Sequence, residues 1–428
     1  MRLGGRLAAA IEVLDDIDGR HRPAADALKD WGLSHRFAGA GDRAAIGNIV
    51  YDALRRRCSA AWLLDGDTSR ARAFGALLIE GGMDAPALNA GLEGDRFAPA
   101  PLSEKEIGLV GKRLLADAPD AVRADCPDWC VPLFVRAFGE SWIEEAAALS
   151  ERPPLDLRVN TLKADREKVL HALKGAAAEP SPIMPTGIRV PPIAGNGRHP
   201  NVQVEPAFQK GWFEIQDEGS QIVADLAIAG DVAQILDFCA GAGGKTLALS
   251  AAMGNHGQIF AHDAEKARLA PIFDRVRRAG CRNVQVIQPA ALSPLEASMD
   301  LVLVDAPCTG SGTWRRRPDS KWRLTDRQLD QRKAEQAAIL EDAKRYVKPS
   351  GRLAYITCSV FREENTDQVT AFLARNHSFR PLDHAGLWRT RHPDHPDAAL
   401  IDPEGGVVLT PARSGTDGFF CSVLQQVA

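Results

Sequence analysis

The spacing of apolar positions changes twice along the chain. Up to about residue 75 it is helical: in GDRAAIGNIVYDALRRR, Ile46, Ile49, Val50 and Leu54 form one stripe. Asp42 is the predicted N-cap of that helix, and Arg55, Arg56 and Arg57 are left to solvent as a charged helix end rather than as RNA contacts. Between Gly75 and Ser150 further short helices are predicted, interrupted by RFAPAPL. Near Leu155 the period drops to two, and LDLRVNTL puts Leu155, Leu157, Val159 and Thr161 on one face of a half-buried strand. Seven prolines from Pro180 to Pro206 then exclude a long helix, which leaves a small α+β module of about 153–206. The stretch 211–227 passes from strand-like to helix-like. From about Gly230 strands alternate with helices, the pattern of a doubly wound parallel sheet. Strands are predicted at 235–238, 258–262, 284–287, 301–305 and 353–357, and helices at 246–253, 265–279, 326–346 and 363–375. A closing antiparallel hairpin is predicted at 407–409 and 419–424.

At 428 residues the chain is long for one domain. The pattern divides it into a helical domain at 1–75, a helical linker region at 76–150, a small α+β subdomain at 151–210 and an α/β domain at 211–428. No apolar run approaches the ~20 residues of a membrane span, and the N-terminus turns acidic too early for a signal peptide. A cytoplasmic protein with no membrane partner is expected. Eight cysteines are too sparse for a disulfide scaffold. Cys126 and Cys130 form a C-x3-C pair with no second ligand pair nearby, so they read as buried structural thiols and no metal is expected. A net charge of −4 means that any nucleic-acid binding must come from local patches.

In a doubly wound sheet ligands bind at the carboxyl ends of the strands, and the residues there are unusual. The first predicted strand runs into DFCAGAGGKTLALS, where Gly241, Gly243 and Gly244 allow a tight turn and close approach to a ligand. A phosphate loop would need glycine where Cys239 stands, so a nucleoside cofactor is the better reading. Asp263 follows Gly241 by 22 positions (263 − 241), about the distance at which a carboxylate meets ribose hydroxyls. The fourth strand runs into LVLVDAPCTGSGTWRRRPDSKWR, which carries Asp305, Pro307, Cys308, Gly310 and Gly312, and then a basic and aromatic cluster. Read alone, this stretch also fits an ordinary strand with a solvated loop. The fifth strand, however, ends in AYITCSV and brings Cys358 to a neighbouring tip, where the two thiols are expected to face one pocket. Such a pair suits covalent pyrimidine chemistry, in which a thiolate adds at C6 and makes C5 nucleophilic. Lys321, Arg323 or Arg362 would supply the positive charge that a thiol needs to ionise.

DFCAGAGGKT, DAPCTGSGTWRRRPDSKWR, YITCSVFREEN and the C-terminal TDGFF, with RVNTLK and FEIQDEGSQ upstream, resemble the RsmB/Sun (Fmu) family of S-adenosylmethionine-dependent RNA cytosine-5 methyltransferases. The likeness extends from about Leu155 to the end, and more weakly GDRAAIGNIVYDALRRR resembles the family's NusB-like helical domain. It implies a Rossmann-like methyltransferase domain behind an RRM-like subdomain and an RNA-binding NusB-like domain. Cys358 occupies the position of the nucleophile, and Cys308 that of the residue aiding release. Asp305 would hold the cytosine edge and border the methyl donor. The donor would be wrapped by Cys239, Ala240, Gly241, Ala242, Gly243, Gly244 and Lys245, with Asp263 on its ribose and Arg268 beside it. Arg315, Arg316, Arg317, Lys321 and Arg323 would meet RNA phosphates, while Trp314 is read either as a base-stacking or as a core residue. In similar enzymes an acid after the third strand contacts the adenine; here Gln288 and Pro289 stand in its place. The expected partner is RNA, ribosomal first and transfer second, with the protein acting as a monomer. A DNA cytosine-5 methyltransferase is disfavoured by TCS at Cys358. A non-catalytic RNA-binding or assembly factor is the rival that the missing acid supports.

Overall fold

A computed structural model describes residues 1–195 and 197–427. They fall into two compact units: the first comprises Met1–Pro153, Pro192–His199 and Trp314–Leu324, and the second Pro154–Pro191, Pro200–Thr313 and Thr325 onward.

In the first unit the helices Leu3–Arg20, Ala24–Ser34, Ala40–Arg55, Arg57–Leu64 and Ser69–Ile79 close on one core that includes Leu7, Leu14, Ile46, Ile49, Val50, Leu54 and Phe74. Leu77, Leu88 and Leu102 belong to that same core, so the helical packing continues past residue 75 without a boundary. The predicted stripe is the buried one. Its helix starts earlier than predicted, with Gly39 as N-cap, and Asp42 lies in the first turn, where it accepts from Arg6 Nε at 2.9 Å. The three arginines at its end are not free in solvent. Arg55 is buried on Asp52 (2.9 Å) of its own helix, Arg56 bonds Glu80 (2.5 Å) at the end of the helix Ser69–Ile79, and Arg57 bonds Asp67 (2.8 Å) in the turn before that helix. Cys126 and Cys130 are buried.

The second unit holds two sheets. The small one is antiparallel, in the order β2-β3-β1-β4, from β1 (Leu155–Val159), β2 (Glu179–Pro180), β3 (Gly187–Val190) and β4 (Phe213–Ile215). β1 was expected to bury one face and buries both. Leu157 and Val159 face one core, while Asp156 is paired to Arg189 (2.7 Å) and Arg158 donates to Gln216 (2.6 Å) on the other. Polar side chains tolerate this burial because each has a bonded partner.

The large sheet contains β5 (Gln234–Asp237), β6 (Gln258–Ala261), β7 (Val284–Val286), β8 (Met299–Asp305), β9 (Val347–Thr357), β10 (Phe379–Pro381), β11 (Leu400–Asp402), β12 (Gly406–Leu409) and β13 (Phe419–Gln426). Its order is β11-β12-β13-β9-β8-β5-β6-β7, with β10 also on β13. β5 to β9 run parallel, and β10 to β13 pair antiparallel. This is the doubly wound sheet with its C-terminal hairpin, all five parallel strands lying within a residue or two of the predicted carboxyl ends. The helix predicted over 265–279 is broken into Lys266–Leu269 and Ile272–Ala279 at Pro271, which removes a donor from the helix interior. Parallel pairing brings the carboxyl ends of β5 to β9 to one edge, and the site is built there.

Candidate active site

The loop after β5 is fixed by its own backbone. Ala240 N donates to His262 O and Gly243 N to Ala240 O, both at 2.8 Å. Gly243 sits at φ 83°, where a Cβ would come within 2.5 Å of Ile272 Cγ1, so glycine is required there. The helix Gly244–Ala252 begins at once and points its unpaired N–H groups at the loop. A Cβ on Gly244 would meet nothing within 4 Å, so the loop faces open space of the kind a ligand needs. Asp263 closes the far side: it is buried and accepts from Gly241 N at 3.0 Å, with Arg268 3.5 Å away. Beneath the loop, Asp237 accepts from Thr246 Oγ1 at 2.6 Å. Burial pushes its carboxyl up to about 7, despite that hydrogen bond. At the third strand end Gln288 is exposed and leads into a short turn over Pro289–Ala291, so no carboxylate borders the loop from that position.

β8 and β9 deliver the chemistry. Asp305, at the tip of β8 and about one-third exposed, accepts from Lys245 Nζ at 2.6 Å. Burial works against the lysine's charge, but Asp305 and, further off, Cys358 and Asp237 outweigh it and hold the ammonium above the ordinary lysine range. Cys308 and Cys358 are free thiols whose sulfurs lie 3.3 Å apart. The hydrogen bond to Cys358, burial and the nearby Glu364 all raise the Cys308 thiol well above its ordinary range. The two tips are laced together by backbone: Gly312 N donates to Cys358 O at 3.0 Å, and Gly418 N to Gly312 O at 2.8 Å. A Cβ on Gly312 would strike Gly418 O at 2.1 Å, which ties the glycine of TDGFF to the thiol loop.

The basic run after the loop is placed differently from its reading as a phosphate-binding cluster. Residues Trp314–Leu324 belong to the helical unit. Lys321 is 1% exposed, and its ammonium donates to Asp125 O (2.5 Å) and Ser150 Oγ (2.9 Å). Arg315 is buried, and its carbonyl accepts from Arg55 Nε at 3.0 Å. Trp314 is a core residue packed near Phe134, and Trp322 donates to Leu54 O at 2.6 Å. Arg323 pairs with Asp319 at 2.7 Å. Arg316 is half-buried and Arg317 exposed. The cations proposed to ionise a thiol are therefore engaged elsewhere: Lys321 and Arg323 as above, and Arg362 on Asp402 (3.2 Å) and Glu404 (2.8 Å). The cation whose charge acts on Cys358 is Lys245, itself paired with Asp305. Among the described residues no cluster of His, Cys, Asp and Glu could hold a metal ion, and no helix is long and apolar enough to cross a membrane.

Sequence reasoning missed Glu364. Its carboxylate is wholly buried and accepts from Thr309 N (2.8 Å), Thr309 Oγ1 (2.5 Å) and Gln336 Nε2 (3.0 Å). The only signal was its place in YITCSVFREEN; partners 28 and 55 residues away leave no local spacing to read.

A glycine-walled loop after the first parallel strand, a buried acid after the second, and an acid at the tip of the fourth followed by a thiol lie at the carboxyl edge of a Rossmann-like methyltransferase fold. Residues 226–425 match the family described as 16S rRNA methyltransferase RsmB/F, and residues 126–192 match the ferredoxin-like domain of RsmF/B-like methyltransferases. Over these two regions the chain matches the RsmB/F methyltransferase family. It is 33% identical over 305 residues to ribosomal RNA small subunit methyltransferase B of Klebsiella pneumoniae (strain 342), covering 70% of this chain and 65% of that relative. Thus it spans just under two thirds of the curated relative. Among solved structures, a methyltransferase homolog protein from Pyrococcus horikoshii has a TM-score of 0.58 at 25% identity, covering 72% of this chain and 98% of that one. NSun6 from Pyrococcus horikoshii, solved with SFG, has a TM-score of 0.59 at 22% identity, covering 71% and 98%, and is similar in fold.

Proposed function

We propose that this chain methylates C5 of a cytosine in RNA, with S-adenosylmethionine as donor and ribosomal RNA as substrate. The observation that carries the reading is the thiol pair, 3.3 Å apart at adjacent strand tips beside Asp305 and the glycine loop. Bound in the loop, the donor supplies an electrophilic methyl group; Cys239 to Lys245, Asp263 and Arg268 would hold it. Cys358, as thiolate, adds to C6 of the base. The S–C6 bond forms and the π pair of C5=C6 moves to C5, which would take the methyl group as the donor's S–CH3 bond breaks and leaves its electron pair on that sulfur. Asp305 holds the amino edge of the cytosine, and Lys245 fixes that carboxylate. Loss of the C5 proton to a base then restores C5=C6, the S–C6 bond breaks, and Cys358 leaves as thiolate. Cys308, with its proton beside that sulfur, assists departure. A base must be unstacked to reach these thiols, which suits a loop or single strand.

Cys358→Ala and Cys308→Ala variants, incubated with cellular RNA and donor, test the reading. Cys358→Ala should give neither 5-methylcytosine nor adduct. Cys308→Ala should accumulate a protein–RNA adduct that survives denaturation, whose sequencing names the cytosine. If the adduct forms in Cys358→Ala and needs Cys308, the two roles are exchanged. The exposed Gln288 in place of an acid favours a second reading, an RNA-binding factor without activity; absence of donor binding in a calorimeter would support it.

A further inference from the structure

Two thiols stand side by side, and only one can be the nucleophile. We propose that Glu364 selects between them: its buried carboxylate, clamped onto Thr309 next to Cys308, disfavours negative charge on Cys308 and so leaves Cys358 as the nucleophile. This rests on the covalent reading above, and adds to it a positioning residue with no contact to substrate.

The geometry is specific. Glu364 is wholly buried, and its two oxygens accept three hydrogen bonds, two of them from the backbone and hydroxyl of Thr309. The backbone N–H of Thr309 and the amide of Gln336 can only donate, so they present a fixed positive edge to one carboxylate oxygen. Gln336 also donates to Pro307 O at 2.9 Å, so one side chain grips the residues on both sides of Cys308 together with the glutamate. Tyr355 OH donates to the Glu364 carbonyl at 2.6 Å and fixes the glutamate from β9.

The ionisable groups acting on Cys308 from the elements around it are Cys358 and Tyr355 from β9 and its tip, and Glu364 beyond them; all disfavour a second negative charge. On the other side the Lys245 ammonium, held by Asp305, interacts with Cys358. A buried anion by one thiol and a buried cation by the other split two chemically identical groups. Their 3.3 Å spacing is short enough for one thiol to share its proton with the other sulfur.

Glu364→Gln is the discriminating substitution, because glutamine can keep all three contacts. Its Oε1 accepts from Thr309 N and Gln336, while its Nε2 donates to the Thr309 hydroxyl; only the charge is lost. First, in a Cys358→Ala background without RNA, alkylation of Cys308 by iodoacetamide is followed against pH by peptide mass spectrometry. Glu364→Gln should move the midpoint down by about one pH unit or more. Second, Cys358→Ala/Glu364→Gln should gain an RNA adduct through Cys308 that Cys358→Ala alone lacks. Glu364→Ala, which drops the clamp as well, should move the alkylation midpoint without gaining the adduct. An unchanged midpoint in Glu364→Gln, with the protein folded by its melting temperature, overturns the proposal. Failure of Cys308→Ala to trap RNA at any pH sinks the covalent reading instead, and the alkylation experiment stands independently of it.

Discussion

Cys308–Thr313 and Trp314–Arg323 are consecutive in the chain and opposite in use. The first segment hangs from β8 and puts a thiol, two glycines and a buried hydroxyl around the candidate active site. The second carries five cations and two tryptophans, the composition of a nucleic-acid patch, yet spends Lys321, Trp314 and Trp322 on the interior of the helical unit. Lys321 is as buried as a leucine because carbonyls of Asp125 and Arg55 and the Ser150 hydroxyl take its three protons. The lesson concerns charge. A run of arginines and lysines announces a partner only if solvent, rather than the protein's own carbonyls and carboxylates, is what it faces.

The largest test of the contrast falls on the thiol side. Cys358→Ala removes the group that forms the bond, and 5-methylcytosine formation should drop by about four orders of magnitude with stability unchanged. On the basic side the main effect should be structural. Lys321→Ala strips three hydrogen bonds from a buried site that also holds the Asp125 carboxylate, raised by its own burial. It should cost about 3 kcal/mol, read as a lower urea midpoint, while the salt dependence of RNA binding stays as in the parent. The reverse pattern, with intact stability and a weakened salt slope, would return Lys321 to the RNA.

Burial of charge at the active edge yields a pH signature. Asp237 titrates at about 7 folded against an ordinary value of 3.8. Between those values the folded protein binds the extra proton, so this group's contribution to stability is full below about pH 4 and falls as the pH rises towards 7, by at most about 1.4 kcal/mol per unit. Asp237→Asn should flatten that fall, measured by urea midpoints at pH 5 and 7; equal slopes in variant and parent would place the titration elsewhere. The smallest effect is expected from Arg317, which is exposed. Arg317→Ala should weaken RNA binding about threefold and lower its salt slope by about one, leaving the melting temperature alone.

Local rules carried most of the architecture. The alternation of strand and helix after Gly230 gave the parallel sheet, and the apolar run 301–304 is the part of its fourth strand buried on both faces. Boundaries were lost where a specific side chain intervened, as at Pro271. Of the candidate site, the glycine loop, Asp263, Asp305 and both cysteines were readable because each sits directly at a strand end. Glu364, Gln336 and the Lys245–Asp305 pair were not, since their partners lie 28 to 60 residues away in sequence.

By itself, then, the sequence determined which residues stand at the tips of β5 to β9, because hydrophobic period and glycine placement act over a few neighbours. The tertiary structure alone decided what those residues face. It set Cys308 against Cys358 at 3.3 Å, gave one of them an anion and the other a cation, and took Lys321 out of solvent. Charge and proton position depend on distance through space and on access to water, and neither is written in local spacing.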